Sequence, residues 1–199
     1  MFHQRGRRAR PSGTRISAPT EDAKDKPMKI SVHALSVELF SHTLSNLSWI
    51  LEKAVSNAAQ RKIEPAVLLA ARLAPDMLPL TRQVQIACDI AKNAIARLAA
   101  QEPVRFEDNE STFEELRTRI ARTIDVLKSV PASALEGADE RAIKVPGRER
   151  TLEFKSGVEF LQRFAIPNVF FHVTTAYNIL RHNGVDLGKR DFLAAGRDQ

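Results

Sequence analysis

Apolar residues recur along the chain at intervals of three and four residues, the spacing that places them on one face of an α-helix. This pattern predicts a first helix over 31–60, a short helix over 65–71 and a second long helix over 80–100. A third helix begins at Ser111 or Thr112, since each has a glutamate three residues further on, the signature of a capped N-terminus. It ends before a proline, which cannot continue a helix.

The pattern changes in the last third of the chain. Alternating runs over 142–145 and 151–154 flank Pro146-Gly147 and predict a small β-hairpin. A fourth helix begins after it and ends at Gly184. Its stretch 164–180 carries no formal charge, but it includes several polar residues, and ~20 predominantly apolar residues are needed to cross a bilayer. We therefore interpret it as the central helix of a bundle, with neighbours on several faces.

Four principal helices with short connections predict an all-α fold, an antiparallel four-helix bundle with the hairpin between its third and fourth helices. We expect this domain over 28–193, with a disordered basic leader over 1–27 and a flexible tail over 194–199. The leader contains no apolar stretch of the length that a secretory signal requires. Because Met28 opens the first periodic segment, residues 1–27 are also consistent with a start codon that was assigned too far upstream.

Charge and cysteine content limit the classes of partner. The formal net charge is +6, and most of it lies in the leader, which predicts nonspecific attraction to phosphate at most and no specific nucleic acid or membrane partner. The single cysteine, Cys88, permits no internal disulfide; we predict a cytoplasmic protein in which it is an inert core thiol.

Arg117, Arg119 and Arg122 are interpreted as a solvated face of the third helix.

Several strings of residues resemble the bacterial domain of unknown function 1993 family over essentially 28–193. These strings are Leu73-Ala74-Pro75-Asp76-Met77, Arg82-Gln83-Val84-Gln85-Ile86-Ala87-Cys88-Asp89, Pro167-Asn168, His172-Val173-Thr174-Thr175-Ala176-Tyr177 and Arg181-His182-Asn183-Gly184-Val185. That family is similar to the DinB/YfiT-like helical bundles, many of which are metal-dependent or thiol-transfer enzymes and which often form homodimers. The resemblance therefore implies a DinB-like bundle and a homodimer.

The resemblance also implies a metal site, most of which this chain lacks. DinB-like sites use one histidine from the second helix and a His-x-x-x-His pair from the fourth. His172 matches the second member of that pair, but Asn168 stands at the first, and no histidine lies between His42 and His172. Because a catalytic zinc site needs three protein ligands, we predict no bound metal and no cofactor. An irregular site joining His172 to His42 or Asp76 is the alternative.

Polar side chains on the apolar fourth helix are the other candidates, because a buried polar group without a partner is costly. Asn168, His172 and Tyr177 predict either an internal hydrogen-bond network or a ligand pocket between the second and fourth helices. Asp76 either caps the second helix or lines that pocket, and Arg82 and Gln83 either contact an anionic ligand or are solvated. We predict a small-ligand-binding protein with Asp76, Arg82, Asn168, His172 and Tyr177 as tentative contacts. The alternatives are a noncatalytic dimerising bundle and a metal-dependent enzyme with an irregular site that includes His172; no catalytic residue is assigned.

Overall fold

The helices and strands of a computed structural model follow the predicted order, and the structure describes residues 30–147 and 149–194. The helices are α1 (Leu39–Arg61), α2 (Pro65–Ala70), α3 (Leu80–Leu98), α4 (Phe113–Lys128), α5 (Gly157–Phe160), α6 (Ile166–His182) and α7 (Lys189–Ala194). Five-residue π-helical segments, Ala34–Glu38 and Leu161–Ala165, lead into α1 and α6, and a 3₁₀ turn covers Ala132–Leu135. The predicted all-α bundle is confirmed. The predicted leader lies outside the described residues, as does the tail beyond Ala194.

The predicted hairpin is present as β1 (Ile143–Val145) and β2 (Leu152–Phe154), paired antiparallel with Lys144 opposite Glu153. Ile143 and Val145 are buried against the bundle. Between them, Lys144 points outward and forms an ion pair of 2.8 Å with Glu153. The alternation of apolar and polar residues in the sequence therefore matches the two faces of the hairpin.

Side chains and backbone conformation define the helix ends. Thr112 Oγ1 accepts a hydrogen bond from the Glu115 backbone N–H (3.2 Å), and Glu115 Oε2 accepts one from the Thr112 N–H (2.9 Å). This reciprocal pair supplies acceptors for N–H groups that the helix leaves unbonded, so the cap is Thr112 rather than Ser111. Gly184 follows α6 with a φ of 83°, a left-handed conformation that glycine adopts without steric cost.

The four long helices form a ring in which α1 packs beside α4 and α6, and α3 also packs beside α4 and α6. Arg61, the last residue of α1, donates a hydrogen bond of 2.7 Å to the carbonyl oxygen of Asn183, just after α6. These two helices therefore run in the same direction. Gly157, at the start of α5, lies against Leu98 at the end of α3, so α6 runs antiparallel to α3.

The connection between α3 and α4, residues 99–112, is a return segment rather than a short loop. It runs back along α3, because Phe106 lies beside Lys92, and Glu110 beside Gln85 nearer the start of that helix. As a result α4 starts close to the start of α3 and runs in the same direction. The expectation of short connections is therefore wrong here, and the polar return segment packs against the bundle.

The α6 helix is a member of the ring with one side exposed to solvent, so its interpretation as the central helix is wrong. Apart from Thr175, its buried face is apolar and comprises Val169, Val173, Ala176, Ile179 and Leu180. A second face points to solvent and comprises Pro167, Phe171, Thr174, Asn178 and Arg181, at alternating spacings of four and three residues. The long uncharged stretch thus combines a core face with a polar and aromatic outer face. Within the described residues, no helix combines the length and apolar character that spanning a membrane requires.

The last helix, α7, packs on the outside of α1 through Asp191. The Asp191 carboxylate accepts hydrogen bonds from Trp49 Nε1 (3.2 Å), Lys53 Nζ (3.0 Å) and the Gly188 backbone N–H (2.7 Å). Burial raises the pKa of this carboxyl, but the bonds from Gly188, Lys53 and Trp49 and the Lys53 charge outweigh it, so the net pKa is below the usual value. The ionised carboxylate therefore fixes the end of the described chain to the first helix.

Candidate functional site

The conformation of His172 is fixed by a glutamine from the facing helix. Gln83 is buried in α3; its Nε2 donates to the backbone oxygen of Leu78 (3.0 Å), and its Oε1 lies 2.7 Å from His172 Nδ1. Because the amide nitrogen is the donor to Leu78, Oε1 is an acceptor, and Nδ1 must carry the proton. Burial also lowers the pKa of His172, since the charged form loses hydration. With the proton on Nδ1, the lone pair of the neutral imidazole lies on Nε2.

The sequence prediction left Gln83, together with Arg82, as either a contact for an anionic ligand or a solvated residue; the solvated alternative is wrong for Gln83, because its side chain is buried. Gln83 lies three residues after Leu80 and four before Ala87, which are both buried on the inner face of α3. A polar residue at such a position needs a partner inside the fold. Half-buried Asn168, one turn before His172, shares its side of α6. Gln83, Asn168 and His172 are thus the polar group between α3 and α6.

The other predicted contacts lie apart from this group. The hydroxyl of Tyr177 donates to the backbone oxygen of Leu187 (3.4 Å), and its ring meets Phe192 of α7 edge to face. Asp76 is exposed in the turn between α2 and α3. It does not cap α3, because the capping position is Pro79 and no side chain bonds the first turn. The prediction that Asp76 caps this helix is therefore wrong.

The geometry also separates the histidines. His42 Nε2 lies 3.0 Å from the backbone oxygen of Leu193 and 3.2 Å from Asn46 Nδ2, which places His42 against α7. Among residues 30–147 and 149–194, no group of three or more His, Cys, Asp or Glu side chains is arranged to hold a metal ion. Beside His172 stand the amides Gln83 and Asn168, which do not fit the three-histidine site that the resemblance implies.

Cys88 is in the core, as predicted. Its side chain is fully buried on α3, and burial raises the pKa of the thiol to about 12. The thiolate, which is the reactive form of cysteine, is therefore almost unpopulated at neutral pH.

A second polar cluster surrounds Arg119 on α4, whose side chain is only 1% exposed. Its Nη2 lies 2.8 Å from Asp89 Oδ1 and 2.9 Å from Asp108 Oδ1, and its Nη1 lies 2.9 Å from Glu110 Oε1. Nη1 also donates to the backbone oxygen of Glu107 (2.8 Å). The interpretation of this arginine as solvated is therefore wrong, because the return segment covers it.

The Arg119 network extends along α3 in both directions from Asp89. Arg82 pairs with Asp108 and also donates to Gln85 Oε1 (2.6 Å), so Arg82 belongs to this network and not to the His172 group. At the other end, buried Lys92 lies 3.1 Å from Asp89. The network thus links α3, α4 and the return segment through charged hydrogen bonds, which are stronger than neutral ones.

Phe106 of the return segment is surrounded by cations. Lys92 Nζ, Arg119 Cζ and Arg122 Cζ lie 5.1, 5.5 and 4.4 Å from the centre of its ring. Such contacts are favourable because the face of an aromatic ring carries negative charge. They hold the return segment in place together with the Arg119 network.

Clefts on the described surface include the following three. One of about 260 Å³ lies between Arg119 and Arg122, one of about 450 Å³ lies between α3 and the return segment, and one of about 610 Å³ lies near Ile30 and Leu161. None of the five predicted ligand contacts lines any of the three. The volumes of these clefts therefore do not support a pocket at the five predicted contacts.

Comparison with known proteins agrees with the resemblance seen in the sequence. The family described as a domain of unknown function, DUF1993, matches residues 32–193. The crystal structure of a DinB family member protein from Shewanella denitrificans is 42% identical and superposes with a TM-score of 0.75, covering 82% of this chain and 92% of that one. No curated protein shows significant similarity. The chain therefore belongs to the DUF1993 family and has the helical-bundle fold of a DinB family member.

Proposed function

We propose that this protein binds a small molecule at the surface between α3 and α6, with His172 as the hydrogen-bond acceptor. The observation that carries the proposal is the orientation of His172 by Gln83. Joining α3 to α6 requires only one bonded ring nitrogen of His172, and the bond from Nδ1 to Gln83 already supplies it. The same bond directs the free lone pair to Nε2 of a half-buried ring, as in histidines that accept a proton or a hydrogen bond from a ligand.

The surroundings of His172 suit a ligand with both polar and apolar parts. Phe171, next to it in the chain and edge to face with its ring, is 58% exposed, and Leu78, whose carbonyl orients Gln83, is 45% exposed. Exposed apolar side chains beside a few fixed polar groups are typical of binding surfaces. Asn168 adds an amide that both donates and accepts. We infer a ligand that combines a hydroxyl or amine donor with a small apolar or aromatic group.

The proposal is tested by NMR titration of the full chain with benzyl alcohol and benzylamine. Saturable shifts at His172 and Phe171, lost in His172→Gln while the unfolding midpoint changes little, would support it. His182→Gln is the matched control, since His182 is exposed at the end of the same helix. A wild-type protein without saturable shifts, combined with a destabilised His172→Gln, would assign His172 a structural role only.

Gln83→Met separates positioning from binding. It removes the acceptor for Nδ1 but leaves His172 in place, so the ¹⁵N shifts of the imidazole should change from one tautomer to an exchanging mixture and probe affinity should fall. Elemental analysis after incubation with Zn²⁺ tests the metal alternative. One equivalent of zinc surviving dialysis, and lost in His172→Gln, would contradict a site without a metal.

A noncatalytic homodimer is the second candidate function. Phe171 and Leu78 flank the His172 group, and Val67 and Leu73 add two further exposed apolar side chains on α2 and the turn that follows it. If this surface joins two copies, Phe171→Ser with Leu78→Ser should convert a dimer to a monomer in sedimentation velocity. The control is Val55→Ser, an exposed apolar position on α1. A wild-type monomer at high concentration would exclude this candidate.

A further inference from the structure

The cleft between α3 and the return segment, about 450 Å³ in volume, contains more positive than negative charge. Three cations line it, Lys92, Arg97 and Arg105, with the carboxylates Asp89 and Glu102. A pocket of this size accommodates a small metabolite. It is separate from the His172 group, none of whose members lines it.

One of the two carboxylates is already neutralised within the fold. Asp89 Oδ1 lies 3.1 Å from Lys92 Nζ and 2.8 Å from Arg119 Nη2, and both of these cations are almost completely buried. Buried cations need such a partner, since desolvation otherwise disfavours them. Because Asp89 is paired in this way, Glu102 is the one carboxylate of the cleft lining that remains to offset the charges of Arg97 and Arg105.

Neither of those two arginines forms an ion pair within the described chain. Arg97 is partly buried, and its Nη1 donates to the backbone oxygen of Asn93 (3.1 Å). Burial lowers the pKa of its guanidinium, against the opposing effect of the Glu102 charge. Arg105 is exposed at the rim, on the return segment. A guanidinium presents a planar fork of donors that matches phosphate oxygens, and two of them suit a doubly charged group.

Apart from Asn93, the remaining wall of the cleft is apolar. Pro103, Val104 and Phe106 come from the return segment, and Pro146 comes from the hairpin. Val104 is half exposed, so it has apolar surface that a ligand would cover. The cleft therefore places an apolar surface beside two guanidinium groups.

We propose that this cleft binds a small phosphate monoester with an apolar or aromatic group. Arg97 and Arg105 hold the phosphate, and the apolar part lies against Val104 and the two prolines. The α3 helix and the return segment are fixed relative to each other by the Arg119 network, so the cleft is formed before the ligand arrives.

Phenyl phosphate is the probe, titrated into the ¹⁵N-labelled full chain at low salt. We expect saturable shifts confined to α3 near Arg97, the return segment and the hairpin near Pro146. Inorganic phosphate, which lacks the apolar group, should bind at least tenfold more weakly, and so should phenol, which lacks the charge. Arg105→Gln should raise the Kd at least tenfold. Arg163→Gln, at an exposed arginine distant in the chain, should leave it unchanged.

Arg105→Gln is the decisive variant, because Arg105 is exposed and has no ion pair within the described chain, so its loss does not perturb the fold. Arg97→Gln provides a second test of phosphate binding if the unfolding midpoint of that variant matches that of the wild-type protein. The proposal is overturned if phenyl phosphate gives no saturable shifts in the cleft, or if Arg163→Gln weakens binding as much as Arg105→Gln. It is also overturned if single-stranded DNA competes at equal phosphate concentration, which would indicate general attraction of polyanions.

Discussion

Replacing Arg119 with methionine should destabilise the protein strongly. The substitution keeps a long apolar stem but removes the guanidinium that three carboxylates contact, Asp89, Asp108 and Glu110. It therefore leaves negative charges close together under the return segment. Asp89 keeps Lys92 and Asp108 keeps Arg82, so the loss comes mainly from Glu110, which loses its only cation among the described residues, rather than from a cavity.

The magnitude follows from how far each carboxylate can regain water. Removing one partner of a buried ion pair costs about 3–5 kcal/mol. Asp89 and Asp108 are 31% and 37% exposed and can be rehydrated, whereas Glu110 is only 10% exposed. We therefore expect the lower end of that range, about 3 kcal/mol. In a domain of this size each kcal/mol lowers Tm by about 2–4 °C, so Tm should fall by about 6–12 °C.

Urea unfolding followed by circular dichroism measures this change. Arg117→Met is the matched control: its guanidinium lies two residues earlier on α4 and pairs with Glu52 and Glu114, both well exposed. Exposed pairs contribute about 0–1 kcal/mol, so the control should lose at most that much. Limited proteolysis should also cleave Arg119→Met faster within the return segment. Equal stability of the two variants would refute a stabilising role for the Arg119 network.

Three further changes test local features of the fold. Thr112→Ala removes the cap of α4 and should lower the unfolding free energy by about 1 kcal/mol, whereas Thr118→Ala, exposed within the same helix, should not; equal urea midpoints would argue against the cap. Gly157→Ala places a Cβ 2.0 Å from a backbone oxygen and should cost about 1–3 kcal/mol by calorimetry, while Gly188→Ala, with nothing nearer than 3.9 Å, should be tolerated; similar losses in both would contradict the close packing. Because the folded pKa of Asp191 lies below 3.8, its contribution to stability is complete above that pH and is lost as pH falls towards the folded pKa. Asp191→Asn should therefore reduce the loss of unfolding free energy that urea unfolding shows as the pH is lowered. An unchanged pH dependence at low pH would show that this carboxylate does not contribute to stability.

Periodicity predicted the helices and the hairpin well, because each depends on neighbouring residues. It did not predict the path of the return segment, which has no regular apolar pattern and is fixed by a residue that follows it in the chain, Arg119. Helical geometry argued against the interpretation of Arg117 and Arg119 as one solvated face, because at about 100° per residue the two side chains lie about 160° apart. Arg119 instead lies on the side of Leu116 and Thr123, both buried.

The polar group at α3 and α6 could be predicted only in part. His172 and Asn168 stood out as polar residues on an apolar helix. Gln83 was considered only beside Arg82, as a contact for an anionic ligand or a solvated residue, because its bond to His172 depends on how α3 is rotated against α6, which no short-range pattern reports. Asp76 and Tyr177 were predicted to join the group, but Asp76 is solvent-exposed and Tyr177 packs towards α7.

The return segment also affects the order in which the chain can assemble. The contacts by which the Arg119 network joins α3 to the return segment and α4 link residues 25 to 30 positions apart, whereas the contacts of α7 with α1 link residues 138 to 151 positions apart. Each doubling of a closed loop costs about 0.6 kcal/mol of chain entropy, which favours early formation of the α3–α4 pair. During synthesis, this pair can form as soon as residue 128 has left the ribosome, while the first helix must wait for the last one to be made before both its sides are covered.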